Sequence, residues 1–278
     1  MKITQILSRH LNNVKVFKTD GTFDFYKKAI PPLLRELNSL NILDDTDITT
    51  DSLTDLVIQM QSKNLSNNTI NKRITHLKTT FKYCKILNED LMSFPKLKQE
   101  DKRFNALTKN EVSKLLTYIE TSKIRFEFKV ILHMFLNTGV RINELCHIET
   151  KNVKLDANCV LLTKTKNGRQ RYVFFTESFK NTYLSPYLAT LKNTNQKYLF
   201  KATYDQIEEL FKRIKKKLGF EKFSPHVLRH TFATTLVHNN ANYDLIANLL
   251  GHLDITITKR YLHQDLENTK QLFSLVPS

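Results

Sequence analysis

His226 and Arg229 stand three residues apart in SPHVLRHTFAT, directly behind Ser224-Pro225. Serine is a preferred helix cap and proline fits the first helical turn, so the pair is expected on one face near a helix N-terminus. The backbone N–H groups and the dipole at such an end favour an anion, which suggests chemistry on a phosphate. An isolated HxxR equally describes a capped helix with a surface arginine. His230 shares a helical face with His226. Neither the glutamate of HExxH nor a third ligand accompanies them, so no metal and no cofactor is expected.

Arg141 follows Thr138-Gly139-Val140 at the end of an apolar run, where a glycine turn would hold it in place. Glu144, three residues on, can orient its guanidinium through a paired hydrogen bond. Lys164, Lys166, Arg169 and Arg171 crowd the tip of an expected hairpin, a natural probe for a DNA groove or backbone. One of these lysines can also act chemically, because lysine's pKa falls readily near other cations. His252 follows Leu250-Gly251 at an expected helix end, and Tyr261 lies nine residues later. Nothing at Tyr261 itself separates it from the other nine tyrosines.

The elements that must position these residues are mostly helices. Apolar residues recur near a 3.6-residue period over Thr22–Leu40, Asp51–Met60 and Ser66–Leu87. Pro31-Pro32 is expected to start or kink the first of these, since the second ring does not suit an unbroken helix. Asp44 to Asp47 forms an acidic loop. The Ser66–Leu87 helix presents Lys72, Arg73, Lys78, Lys82 and Lys85 with no acid among them, a face suited to phosphate contacts. FPKLKQEDKRFN (94–105) breaks the periodicity, and the linker is placed at 98–105 between units at 1–97 and 106–278. Thr108 and Glu111 form a capping-box pattern. Helices are expected at Phe126–Leu136, Phe179–Leu191 and Tyr204–Leu218. Short strands are expected at Val153–Leu155, Val160–Thr163 and Arg171–Phe175, with a tight Asn167-Gly168 turn between the last two.

Charge narrows the partner. The chain of 278 residues has a net charge of +16. Up to Arg103 there are 17 basic and 12 acidic residues, and beyond it 26 and 15, so both parts are expected to touch a polyanion. No apolar run approaches the ~18 residues of a membrane span, and the N-terminus lacks a signal-peptide pattern. Three cysteines without CxxC spacing indicate neither disulfides nor a zinc cage. A cytoplasmic protein is expected.

Arg141 in TGVRINEL, Lys166 in TKTKNGRQR, His226 and Arg229 in HVLRHTFAT, His252 in LLGH and then Tyr261 occur in the order and contexts of the tyrosine recombinases. The chain therefore resembles the phage integrase family, as a compact Xer-like member. SNNTINKRITHLKTTFKYC (66–84) is similar to the family's helical core-binding domain, so the resemblance runs over nearly the whole chain. It implies a mainly α protein of two domains around duplex DNA: a SAM-like core-binding domain (1–97) and a catalytic domain (106–278) with a small antiparallel hairpin or sheet. It further implies a site-specific recombinase working through a 3′-phosphotyrosyl intermediate and a Holliday junction, without metal or ATP. In that scheme Tyr261 is the nucleophile, Arg141 and Arg229 hold the phosphate oxygens, and Lys166 protonates the leaving oxygen. His226 helps move the tyrosine proton, His252 adds a hydrogen bond and Glu144 supports Arg141. Lys72, Arg73, Lys78, Lys82, Lys164, Arg169 and Arg171 are the expected DNA contacts. The implied partners are a double-stranded recombination site, three further copies in a tetramer, and an accessory protein.

Three features depart from the family or stay open. The family's glycine-lysine-glycine at the hairpin is Thr165-Lys166-Asn167, which leaves Lys164 a rival general acid. DITITKR (254–260) is β-branched and a weak helix former. The apolar residues Leu266, Leu272, Phe273, Leu275 and Val276 beyond Tyr261 suit docking on a neighbouring copy or on the chain's own domain. The alternative to an enzyme is an inactive DNA-binding accessory or regulatory relative.

Overall fold

The computed structural model describes residues 1–98, 106–165, 168–192 and 194–251. The chain divides into two compact units, Met1–Lys102 and Arg103–Ser278.

In the first unit, α1 (Ile3–Phe17), α2 (Asp20–Ser39), α3 (Thr50–Ser62), α4 (Asn67–Tyr83) and the short α5 (Glu89–Ser93) enclose one core. Each long helix contributes its apolar stripe: Ile6 and Leu7, Leu33 and Leu37, Leu53 and Leu56, then Ile70, Leu77 and Phe81, all essentially inaccessible. Ser66 caps α4, its hydroxyl accepting from the Thr69 N–H at 3.4 Å. The prolines do not start α2, which runs through both. Each proline removes the hydrogen bond to the carbonyl four residues back. Those carbonyls belong to Lys27 and Lys28, both exposed, so water can satisfy them.

The second unit carries the candidate site. It contains α6 (Lys109–Thr121), α7 (Phe126–Thr138), the one-turn α8 (Ile142–Leu145), and strands β1 (Val153–Lys154), β2 (Cys159–Leu162) and β3 (Arg171–Phe174). The strands form an antiparallel sheet in the order β1-β2-β3. After it come α9 (Glu177–Phe179), a π-helical turn at Lys180–Leu184, α10 (Ser185–Leu191), α11 (Tyr204–Leu218), α12 (Pro225–His238) and α13 (Tyr243–Leu250). The π turn interrupts what the periodicity presents as one helix. It ends two residues before Pro186, which cannot donate to the Thr182 carbonyl within it.

Leu162 pairs with Arg171, so residues 163–170 join β2 and β3; Asn167 of the expected Asn167-Gly168 turn lies outside the described residues. Thr165 Oγ1 donates to the Arg169 carbonyl at 2.7 Å and closes the base of that loop.

Helix α7 is the axis of the unit. Val130, Ile131, Leu132, Met134 and Phe135 are all inaccessible, so the helix is covered nearly all round, and α12 packs along it. Gly139 ends α7 at φ 58°, and a Cβ there would lie 2.5 Å from the Phe232 ring of α12. That glycine serves both the left-handed stop and the close approach of the two helices.

Candidate active site

Three arginines from separate elements meet at the ends of helices α7 and α13. Arg141 caps α8; its backbone N–H donates to Glu144 Oε2 at 2.9 Å and its Nη1 to Oε1 at 3.0 Å. Arg171, at the start of β3, faces the same carboxylate, with Nη1 on Oε1 at 2.7 Å and Nη2 on Oε2 at 2.8 Å. This is a planar fork on a planar acceptor, the geometry that distinguishes arginine from lysine. Arg229, on the first turns of α12, is only 4% exposed; its Nη1 donates to the Gly139 carbonyl at 2.7 Å.

All three also reach the C-terminus of α13. Arg171 Nε donates to Leu249 O at 3.0 Å, Arg229 Nη2 to Leu250 O, and Arg141 Nη2 to Gly251 O at 3.3 Å. The last carbonyls of a helix lack intrahelical donors and carry the negative end of its dipole, so three cations there satisfy both needs. Gly251, at φ 64°, ends the helix, and a Cβ on it would come within 2.9 Å of the Arg171 guanidinium.

Glu144 is 3% exposed. Burial pushes its pKa upward, but the hydrogen bond and charge of Arg171, then the Arg141 N–H and charge, outweigh it and hold the carboxyl below its usual value. Glu144 therefore stays ionised. The three arginines carry more positive charge than it offsets, which makes the cluster an anion-attracting centre.

His226 lies in the first turn of α12, whose cap Ser224 accepts from the Val227 N–H at 3.3 Å. The ring has an edge open to solvent, yet surrounding protein and the charges of Arg229 and Arg141 hold its pKa below the ordinary 6.5. It is a neutral imidazole at pH 7, able to accept a proton. His230, one turn on, is pulled to about 4, first by burial and then by His226 and Arg229. Among the described residues no three histidine, cysteine or acidic side chains gather as a metal site.

The structure thus brings Arg141, Glu144, His226 and Arg229 together. Lys166, His252 and Tyr261 lie outside the described residues. Lys164 and Arg169 are exposed on the β2–β3 loop. Arg171 is not at the loop tip where its sequence neighbours suggest a DNA contact; it is 11% exposed and turned into the arginine cluster. Strand alternation carried the signal, because Arg171 and the buried Val173 share one face while Tyr172 and Phe174 point out.

The cations of α4 also separate. Lys72 and Lys82 are exposed, as is Lys85 beyond the helix end. Arg73 Nη1 lies 3.4 Å from Glu36 of α2, which also binds Lys63 at 2.6 Å. Lys78 Nζ donates to the Met92 and Phe94 carbonyls at 3.0 and 2.7 Å. Arg73 and Lys78 are therefore engaged within the unit, with an acid supplied by another helix.

The tyrosine recombinase XerA of Saccharolobus solfataricus is 35% identical over 176 residues, 63% of this chain and 57% of that protein's length. The tyrosine recombinase XerC of Staphylococcus saprophyticus is 29% identical over 229 residues, 77% of each chain. In fold, the chain is similar to the XerH site-specific recombinase in a post-cleavage complex with its palindromic difH substrate. That match has a TM-score of 0.77 at 20% identity and covers 99% of this chain and 90% of that one. Residues 105–268 match the model of the phage integrase family. That match spans more than half of the chain, and the chain belongs to the phage integrase family.

Proposed function

We propose that this protein is a site-specific tyrosine recombinase that cuts and rejoins double-stranded DNA through a covalent phosphotyrosyl intermediate. The observation that carries the reading is the convergence of Arg141 and Arg229 on the end of α13, with a neutral His226 beside them. A scissile phosphate placed there gains donors where negative charge grows in the transition state; each donor is worth on the order of 10²–10³ in rate. The Tyr261 hydroxyl attacks phosphorus, its proton passing to His226. The bond to the 5′-oxygen breaks, and Lys166 or Lys164 protonates the departing oxygen. A 3′-phosphotyrosyl ester and a free 5′-hydroxyl result. The 5′-hydroxyl of a partner strand then reverses the step, so the ester keeps the bond energy and the scheme needs neither ATP nor metal.

The working form is a homotetramer on two paired sites, formed in the cytoplasm and open to an accessory protein. Exchange of two strands passes through a Holliday junction. Lys72, Lys82, Lys164 and Arg169 are the exposed cations suited to the DNA backbone.

The test is a nicked duplex carrying the recombination site, selected from a pool by adduct formation. The native chain should give a covalent adduct stable in detergent, and Tyr261→Phe should give none while retaining DNA affinity. An adduct from Tyr261→Phe would remove the nucleophile assignment. Binding by the native chain with no adduct on any duplex would instead favour an inactive DNA-binding relative.

A further inference from the structure

Arg171 is the residue whose surroundings the reaction scheme leaves unused. It occupies both oxygens of Glu144 at 2.7 and 2.8 Å, although Glu144 already holds Arg141 through its backbone and side chain. Its Nε reaches Leu249 O, so one planar group joins the start of β3, the α8 turn and the end of α13. Each of these elements leads into a proposed participant. β3 receives the loop that bears Lys164 and Lys166, α8 begins at Arg141, and α13 ends at Gly251 next to His252. The guanidinium also lies 2.9 Å from where a Cβ on residue 251 would be, so the end of α13 leaves no room there for a side chain.

We infer that Arg171 is a positioning residue for cleavage: its fork on Glu144 fixes the orientation in which Arg141 meets the scissile phosphate, and its bond to Leu249 ties that fork to the end of α13. The physical argument concerns freedom of rotation. Arg141 alone gives each Glu144 oxygen one bond, its backbone N–H on Oε2 and a single guanidinium N–H on Oε1, so the carboxylate can pivot about the backbone bond and carry the Arg141 guanidinium with it. The Arg171 fork on the same two oxygens removes that pivot. Glu144 is 3% exposed, so little water competes for the oxygens. Lysine cannot substitute, because a point charge satisfies one oxygen and leaves the carboxylate plane undefined.

The inference rests on the recombinase reading, and its test separates the two. Arg171→Lys and Arg171→Ala are compared with the native chain and with Arg141→Ala on two nicked duplexes at saturating protein. One duplex has an ordinary scissile phosphate. In the other a methyl group replaces the non-bridging oxygen that Arg141 would hold, which removes the charge an arginine must offset. On the ordinary duplex, adduct formation by both Arg171 variants should slow by about 10²-fold, the scale of a misplacement near 1 Å, with DNA affinity retained. On the methyl-substituted duplex most of that deficit should close, as it should for Arg141→Ala. Arg171→Lys keeps the charge, so it serves as the readout if Arg171→Ala does not fold. Native rates in the Arg171 variants, or an equal deficit on both duplexes, overturn the inference. Absence of an adduct with the native chain overturns the recombinase reading instead.

Discussion

His133 shows how a buried residue can be charged with a task it cannot announce by type. It lies on α7 with its ring centroid 4.0 Å from that of Tyr183 and 6.0 Å from that of Phe179, and its Nε2 has no hydrogen-bond partner. Burial lowers its pKa from 6.5 to about 4. The unfolded chain therefore takes up a proton at this ring before the folded one does. Its contribution is fully present above pH 6.5, is lost as pH falls towards 4, and amounts to about 3 kcal/mol over that interval. Urea unfolding at pH 7 and 4.5 should show His133→Phe losing much less stability on acidification than the native chain. An unchanged difference between the two pH values would refute this account. The pairing of Arg141 with Glu144 was legible from their spacing, since residues three apart on a helical turn can meet. Arg171 was misplaced because four cations close together in sequence read as one patch, whereas strand geometry sends one of them inward.

At the scale of elements, the helix starts were readable because caps are local. Thr108 with Glu111 and Ser224 with Pro225 stand where α6 and α12 begin. Glycine stops were readable too, but what each glycine tolerates was not. Gly139 and Gly219 end α7 and α11 with φ of 58° and 69°, yet only Gly139 has a neighbour at its missing Cβ. Gly219→Ala should cost about 1–2 kcal/mol for the left-handed backbone. Gly139→Ala should cost a further ~1–3 kcal/mol for displacing the Phe232 ring. Thermal unfolding midpoints of the two variants would measure the gap, and equal losses would mean that the α7–α12 approach yields freely. The unbroken passage of α2 through Pro31-Pro32 and the π turn before Pro186 have a common origin. A proline's lost hydrogen bond is tolerated or not according to what surrounds the orphaned carbonyl, and surroundings are a tertiary property.

Over the whole molecule, a net charge of +16 on 278 residues points to a polyanion but does not say which cations meet it. Lys72→Ala and Lys82→Ala should leave stability unchanged. Each should also lower the slope of log affinity for duplex DNA against log salt by about one, as the loss of a phosphate contact does. Arg73→Ala should instead reduce stability, because buried Glu36 then keeps a single cation, the half-exposed Lys63. If Arg73→Ala changes only the salt slope, its ion pair is not structural. The order of the six candidate residues, the capped helices, the basic balance and the mainly helical class were determined by the sequence itself. Apolar period, caps and motif order are properties of neighbouring residues, and local rules reach only about a helical turn. The arginine cluster was decided by tertiary structure. Its bonds join residues 27, 90 and 110 positions apart, Arg171 to Glu144, Arg229 to Gly139 and Arg141 to Gly251. A charge finds such a partner only after α7, β3, α12 and α13 have packed, because the buried apolar faces, and not the charges, set where those elements end.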